Sequence, residues 1–113
     1  MTRALRTLGE LLLSVETQPD KAWLFLPLTG NWTLETSAVV LELEEVPPEL
    51  EDKPDAGIPA FARQNMLKCI LPVLALQDIV SNAREQKSRA TAADLLMAFN
   101  HYYERDAFIE FER

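Results

Sequence analysis

Hydrophobic positions in the first part of the chain recur at the spacing of a helix. Over residues 2–16 they lie three or four positions apart, which predicts a helix with one apolar face. The hydroxyl group of Thr2 is placed to cap its start, and Pro19 follows its end. The apolar face consists of Leu5, Leu8, Leu12 and Val15.

Two short apolar runs come next, and each is typical of a buried strand. They cover residues 22–27 and residues 38–43. A turn signal, Thr29-Gly30-Asn31, lies between them. The two runs therefore predict an antiparallel hairpin, or near-hairpin, with a long connection that contains Trp32.

Helical spacing dominates the second half of the chain. Pro59 is placed at the first position of a short helix, and Pro72 is expected to stop a strand. Thr91-Ala-Ala-Asp94 resembles a capping box, in which two side chains satisfy the first backbone N–H groups of a helix. Residues 107–111 are expected to form a short strand or a docked tail. The predicted elements are a short helix at 59–66, a strand at 67–71, and helices at 75–88 and 92–105.

This order of elements predicts an α+β fold. A small sheet of three or four strands would pack against about four helices. With 113 residues the chain has the length of one domain, spanning 1–113. Residues 44–57 contain three prolines and few apolar side chains, so we expect them to form an exposed, mobile loop within that domain.

The chain is acidic, and the excess charge is concentrated near this loop. The formal net charge is −7, with 18 acids and 11 bases. Residues 42–55 carry seven acids and one lysine, which leaves a net charge of only −1 on the rest of the chain. Such a charge disfavours nucleic acid and membrane surfaces as partners and favours a basic protein. The acids are Glu42, Glu44, Glu45, Glu49, Glu51, Asp52 and Asp55.

Two interpretations of the acidic segment remain open at this level. It is either a solvated loop that keeps the edge of the hairpin soluble, or a carboxylate array that attracts a basic partner. Calcium binding is a third option, but the EF-hand pattern of alternating acids with a central glycine is absent. Trp32 likewise has two interpretations, as an interface anchor or as a residue folded over the core. Asp106 is a further candidate contact for a partner.

No pattern in the sequence predicts catalysis, so we expect no enzyme, no cofactor and no metal. His101 is the only histidine and Cys69 the only cysteine, which excludes an internal disulfide and a cysteine-rich zinc site. Cys69 lies in an apolar strand, where a thiol stays protonated. The enzymatic alternative would have to use His101 with Asp106 and Glu110, which are four residues apart.

No segment is typical of a signal peptide or a membrane span. Charged and polar residues interrupt the leucines near the N-terminus, and no apolar run approaches the roughly 20 residues needed to cross a bilayer. We therefore expect a cytoplasmic protein.

Three stretches of the chain resemble a family of small acidic bacterial proteins that are similar to immunity proteins of contact-dependent growth inhibition and other polymorphic toxin systems. The likeness extends from about Ala22 to Ile109. The chain departs from the family in its loop, where Pro47, Pro48 and Pro54 interrupt a more purely acidic run. The stretches are Trp23-Leu-Phe-Leu-Pro with Asn31-Trp-Thr-Leu-Glu-Thr, Gln77-Asp-Ile-Val-Ser-Asn-Ala-Arg-Glu-Gln-Lys, and Ala98-Phe-Asn-His-Tyr-Tyr-Glu-Arg-Asp-Ala-Phe-Ile.

The resemblance implies toxin neutralisation by binding. The partner would be a cognate toxin, the C-terminal domain of a large secreted protein. Many such toxins are nucleases with basic grooves, which an acidic protein would block by occlusion. The alternative is a non-enzymatic adaptor or regulatory module that binds a different basic protein.

Overall fold

Four strands and four helices are found in the described part of the chain, which comprises residues 5–28, 31–53 and 56–111 of a computed structural model. The strands are β1 (Arg6–Thr7), β2 (Ala22–Leu26), β3 (Ser37–Glu42) and β4 (Lys68–Pro72). The helices are α1 (Leu8–Leu13), α2 (Ala60–Gln64), α3 (Val73–Gln86) and α4 (Ala92–Arg105). Single 3-10 turns lie at Val15–Thr17 and Pro48–Leu50.

The strands form one antiparallel sheet in the order β1-β3-β2-β4. The predicted hairpin is confirmed, because β2 pairs with β3 and places Leu24 opposite Val40. The other edge of β2 pairs with β4, and a register shift leaves Ile70 as an extra residue between the paired Cys69 and Leu71. The predicted α+β class is therefore confirmed.

The alternation of side chains along β2 and β3 divides the core into two clusters. Leu24 and Val40 belong to the larger cluster, which helices α1, α3 and α4 share. Phe25 and Val39, one position away in each strand, pack instead in a smaller cluster with Ala62 of α2. Strand side chains alternate between the two faces of a sheet, and here both faces are covered.

The first helix is shorter than the sequence predicts. It begins at Leu8 instead of residue 2, because Leu8 N–H donates to the carbonyl of Thr36 (2.8 Å) and Gly9 N–H to that of Leu34 (2.9 Å). These bonds to a distant segment follow directly on β1 and hold the chain in a strand up to Thr7. The side chain of Thr7 caps the helix in the role predicted for Thr2, which lies outside the described residues.

Leu5 was predicted to lie on the buried face of that helix, and this is wrong. It precedes β1 and is 41% exposed, whereas Leu8, Leu12 and Val15 are buried as expected. The predicted turn at residues 29–31 falls mostly outside the described residues.

The later elements follow the prediction closely, with differences at the prolines. Pro59 is the N-cap residue of α2, immediately before the helix, instead of its first helical residue. Pro72 is the last residue of β4 and also precedes α3, so it belongs to the strand that it was expected to stop. Helix α4 has the predicted bounds, and the predicted capping box of Thr91 and Asp94 is confirmed.

The segment after α4 is a docked tail without strand pairing. Gln86 of α3 donates to the carbonyl of Ile109 (2.7 Å) and accepts from the N–H of Phe111 (3.0 Å). Ile109 and Phe111 pack against the larger core cluster, and the Lys87 ammonium lies 5.3 Å from the centroid of the Phe111 ring. Of the two predicted alternatives, the tail is the one observed.

None of the helices in the described ranges is long and apolar enough to cross a membrane.

Candidate functional site

The acidic segment, residues 42–55, begins at the end of β3 and turns back toward its start. Glu44 N–H donates to the carbonyl of Gly57 (2.8 Å), which closes the loop, and the 3-10 turn at Pro48–Leu50 lies within it. Gly57 has a φ of +79°, and a Cβ added there would lie 3.2 Å from the carbonyl oxygen of Glu44. Glycine is therefore required at the point where the loop closes.

The six described acids of this segment are all exposed: Glu42, Glu44, Glu45, Glu49, Glu51 and Asp52. None takes part in an ion pair within the described ranges, where the pairs are Arg6–Glu10, Arg84–Glu16 and Lys87–Asp94. Asp55, the seventh predicted contact, lies outside the described residues. Lys53 and Arg63 line one groove with Glu44 and Glu45 but form no ion pair with them among the described residues, an arrangement that both interpretations of the segment allow.

Two apolar side chains are exposed among these acids. Leu43 is 42% exposed and Leu50 is 44% exposed. Val46 lies close to Gly57 on the inner side of the loop. The segment thus combines negative charge with some apolar contact area.

Trp32 lies in the connection between β2 and β3 and is half-buried. Its Nε1–H donates to the carbonyl of Pro27 (2.6 Å). The ring packs against Phe99, with the centroids 5.6 Å apart, and edge-on against Tyr103, with the centroids 4.8 Å apart. Trp32 is therefore folded over the core, as one of the two interpretations expects.

The remaining surface of Trp32 forms part of a groove of about 530 Å³, which we call the Trp32 groove. Asn100, Tyr103 and Glu104 share one face of α4, because they are spaced at i, i+3 and i+4. The groove is lined by Leu28, Asn31, Trp32, Asn100, Tyr103 and Glu104.

The structure does not bring Trp32 together with the acidic segment. The chain enters β3 at Ser37 from the Trp32 connection and leaves it at Glu42 toward the loop. The six residues of β3 separate the two features by about 17 Å. The acidic segment and Trp32 thus lie at opposite ends of one strand.

Asp106 lies just beyond α4 and is exposed. It adopts a left-handed conformation with a φ of 53°, and its N–H donates to the carbonyl of Tyr102 (2.8 Å). Since the helix ends at Arg105, Asp106 and Glu110 do not share a helical face.

The residues of the enzymatic alternative do not converge in either groove near the end of α4. Glu110 lines a groove beside the docked tail with Phe108 and Phe111. His101 lines neither that groove nor the Trp32 groove. Within the described residues, no group of three or more histidine, cysteine, aspartate or glutamate side chains is placed to hold a metal ion.

Cys69 is half-buried in β4 and packs against the smaller core cluster. Burial raises the pKa of its thiol above the usual value. A thiol of this kind stays protonated at neutral pH and is a poor nucleophile.

Residues 5–111 match a protein family described as Domain of unknown function (DUF7716). The chain belongs to the DUF7716 family. No curated protein and no solved structure gives a match to the chain. The matched residues include both the acidic segment and the Trp32 groove. The description of the family names no activity or partner.

The sequence did not predict that the residues lining the Trp32 groove form one groove. The spacing of Asn100, Tyr103 and Glu104 was available as a signal, since it places the three side chains on one helix face. What the sequence lacked was any indication that Trp32 and Asn31, about 70 positions earlier, would pack beside that face.

Proposed function

We propose that this protein is a non-enzymatic immunity protein that binds a basic bacterial toxin domain in the cytoplasm and blocks it by occlusion. The observation that carries the proposal is the set of exposed carboxylates in the acidic segment, which form no ion pair among the described residues. The resemblance of three stretches of the sequence to immunity proteins of polymorphic toxin systems supports the same interpretation.

The physical argument concerns both charge and shape. Exposed carboxylates clustered on one segment attract a basic surface over several ångströms and raise the association rate. Leu43 and Leu50 add apolar area, which ion pairs at an exposed surface need if the complex is to be long-lived. The backbone bond from Glu44 to Gly57 holds the two ends of the loop together, which lowers the conformational entropy that is lost on binding.

The test is the binding of the purified chain to a toxin domain encoded by the neighbouring gene. A variant with Glu44→Gln, Glu45→Gln, Glu51→Gln and Asp52→Asn removes four charges from the segment. We expect its association rate at low salt to fall about tenfold, and the dependence of that rate on salt to become weaker. Surface plasmon resonance at low and high salt measures both quantities, and toxin activity is measured in parallel.

The matched control removes four exposed acids elsewhere, with Asp20→Asn, Glu35→Gln, Asp78→Asn and Glu85→Gln. It changes the net charge by the same amount and should slow association much less. Equal slowing of the two variants would show that only net charge matters. A toxin domain that neither binds the chain nor loses activity would refute the immunity function, and a complex with a different basic protein would favour the adaptor alternative.

A further inference from the structure

We propose that the Trp32 groove binds an arginine side chain of a basic protein partner. This inference rests on the proposed function only in taking the partner to be a basic protein. The groove lies at the opposite end of β3 from the acidic segment, so it is a second contact that the charge distribution of the sequence does not indicate.

The aromatic wall of the groove is held in a fixed orientation. The hydrogen bond from Trp32 Nε1–H to the carbonyl of Pro27 sets the plane of the indole ring. The buried ring of Phe99 packs against the indole. Tyr103 is 45% exposed and meets Trp32 at 66° between the ring planes. A guanidinium group can stack on such aromatic surfaces and is attracted to their electron-rich faces.

The polar groups of the groove suit a cation. Among the described residues that line it, Glu104 supplies the only charge, and none is a lysine or an arginine. Glu104 makes no ion pair within the described ranges, and the amides of Asn31 and Asn100 make no side-chain hydrogen bond there. These three side chains offer oxygen acceptors around the aromatic wall.

Arginine matches this arrangement better than lysine does. Its planar group has five N–H donors in a rigid fork, which can pair with the Glu104 carboxylate and donate to an amide oxygen while it lies on a ring. Lysine has a compact, strongly hydrated charge that stacks less well. An anionic ligand would be repelled by Glu104.

The two tryptophans of the chain give a direct test. Trp32 lines the groove, whereas Trp23 lies on β2 and packs against the smaller core cluster. The indole N–H signals are followed by nitrogen–proton NMR and assigned with a Trp23→Phe variant. The probes are acetyl-glycyl-arginyl-glycine amide, its lysine analogue and its uncharged citrulline analogue.

We expect the arginine peptide to shift the Trp32 indole signal saturably and to leave the Trp23 signal in place. Glu104→Gln should weaken this binding about three- to fivefold. The control Glu85→Gln, which removes one exposed charge from α3, should leave the affinity unchanged. Indole signals at their native positions show that the Glu104→Gln and Glu85→Gln variants are folded.

The inference would be overturned if no peptide gave a saturable shift, or if the arginine and citrulline peptides gave equal shifts. It would also be overturned if the arginine and lysine peptides bound with equal affinity, or if Glu104→Gln and Glu85→Gln had equal effects. The titration needs no toxin, so its failure is distinguishable from failure of the immunity function.

Discussion

At the scale of single residues, the start of α4 shows how two side chains can fix a helix boundary. The Thr91 hydroxyl accepts from Asp94 N–H (3.2 Å), and the Asp94 carboxylate accepts from Thr91 N–H (2.9 Å). The hydrogen bond from the Thr91 backbone, followed by that from the Lys87 side chain, lowers the pKa of the Asp94 carboxyl below its ordinary value of 3.8. The charged form is therefore favoured by folding.

This lowered pKa gives a pH-dependent prediction. The Asp94 carboxylate contributes stability that is fully present above the unfolded pKa and is lost as the pH falls through the lowered folded pKa. Asp94→Asn should therefore be less stable than the natural chain at neutral pH, and the difference should shrink as the pH falls below about 3.8. Urea unfolding at a series of pH values measures it. Asp78→Asn is the control outside a cap, and a difference that stays constant with pH would contradict the prediction.

Cys69 gives a second prediction at this scale. Because burial raises the pKa of its thiol, little thiolate is present at neutral pH. We expect iodoacetamide to alkylate Cys69 at least about tenfold more slowly in the native chain than in urea-unfolded chain at the same pH. Mass spectrometry of timed samples measures the two rates. Equal rates would mean that the thiol is as accessible and as acidic when folded as when unfolded.

At the scale of elements, the two ends of the chain depend on contacts with distant segments. The start of α1 is set by bonds to the carbonyls of Leu34 and Thr36, and the tail after α4 is held by the side chain of Gln86. Helical spacing over residues 2–16 predicted the helix type correctly but placed its start six residues too early. In contrast α4, whose capping box is local in sequence, was predicted with its observed bounds.

The tail contact can be tested with Gln86→Ala. The variant removes both hydrogen bonds to the tail, and we expect it to lower the free energy of unfolding by about 1 kcal/mol. The amide of Phe111 should then exchange with solvent faster, because its acceptor is the Gln86 side chain. Urea unfolding and hydrogen exchange measure the two effects. Gln64→Ala at an exposed position of α2 serves as the control, and unchanged exchange at Phe111 would show that apolar packing alone holds the tail.

At the scale of the whole molecule, the negative charge and the packed core are separate features. Both core clusters are built from buried apolar side chains, and no buried polar or charged residue is found among the described ones. The acidic segment makes no described ion pair with the rest of the fold. Its carboxylates can therefore change without disturbing the core.

That separation predicts the stability of the variant with Glu44→Gln, Glu45→Gln, Glu51→Gln and Asp52→Asn. Its free energy of unfolding should stay within about 0.5 kcal/mol of the natural chain at high salt. At low salt it should be slightly higher, since repulsion between neighbouring carboxylates is relieved. Urea unfolding at two salt concentrations provides the measurement. A clear loss of stability at both would assign the acids a structural role.

The sequence alone determined the types of the elements other than β1, the β2–β3 hairpin, the α+β class and the concentration of charge near one loop. The element types follow from local patterns, since short apolar runs indicate buried strands and recurrence at three or four positions places apolar side chains on one face of a helix. Only the tertiary structure decided where α1 begins, that the tail docks, and that Trp32 meets Tyr103 to form a groove. Each of these depends on a hydrogen bond or a ring contact between segments far apart in sequence, and no local pattern specifies which distant segment will supply it.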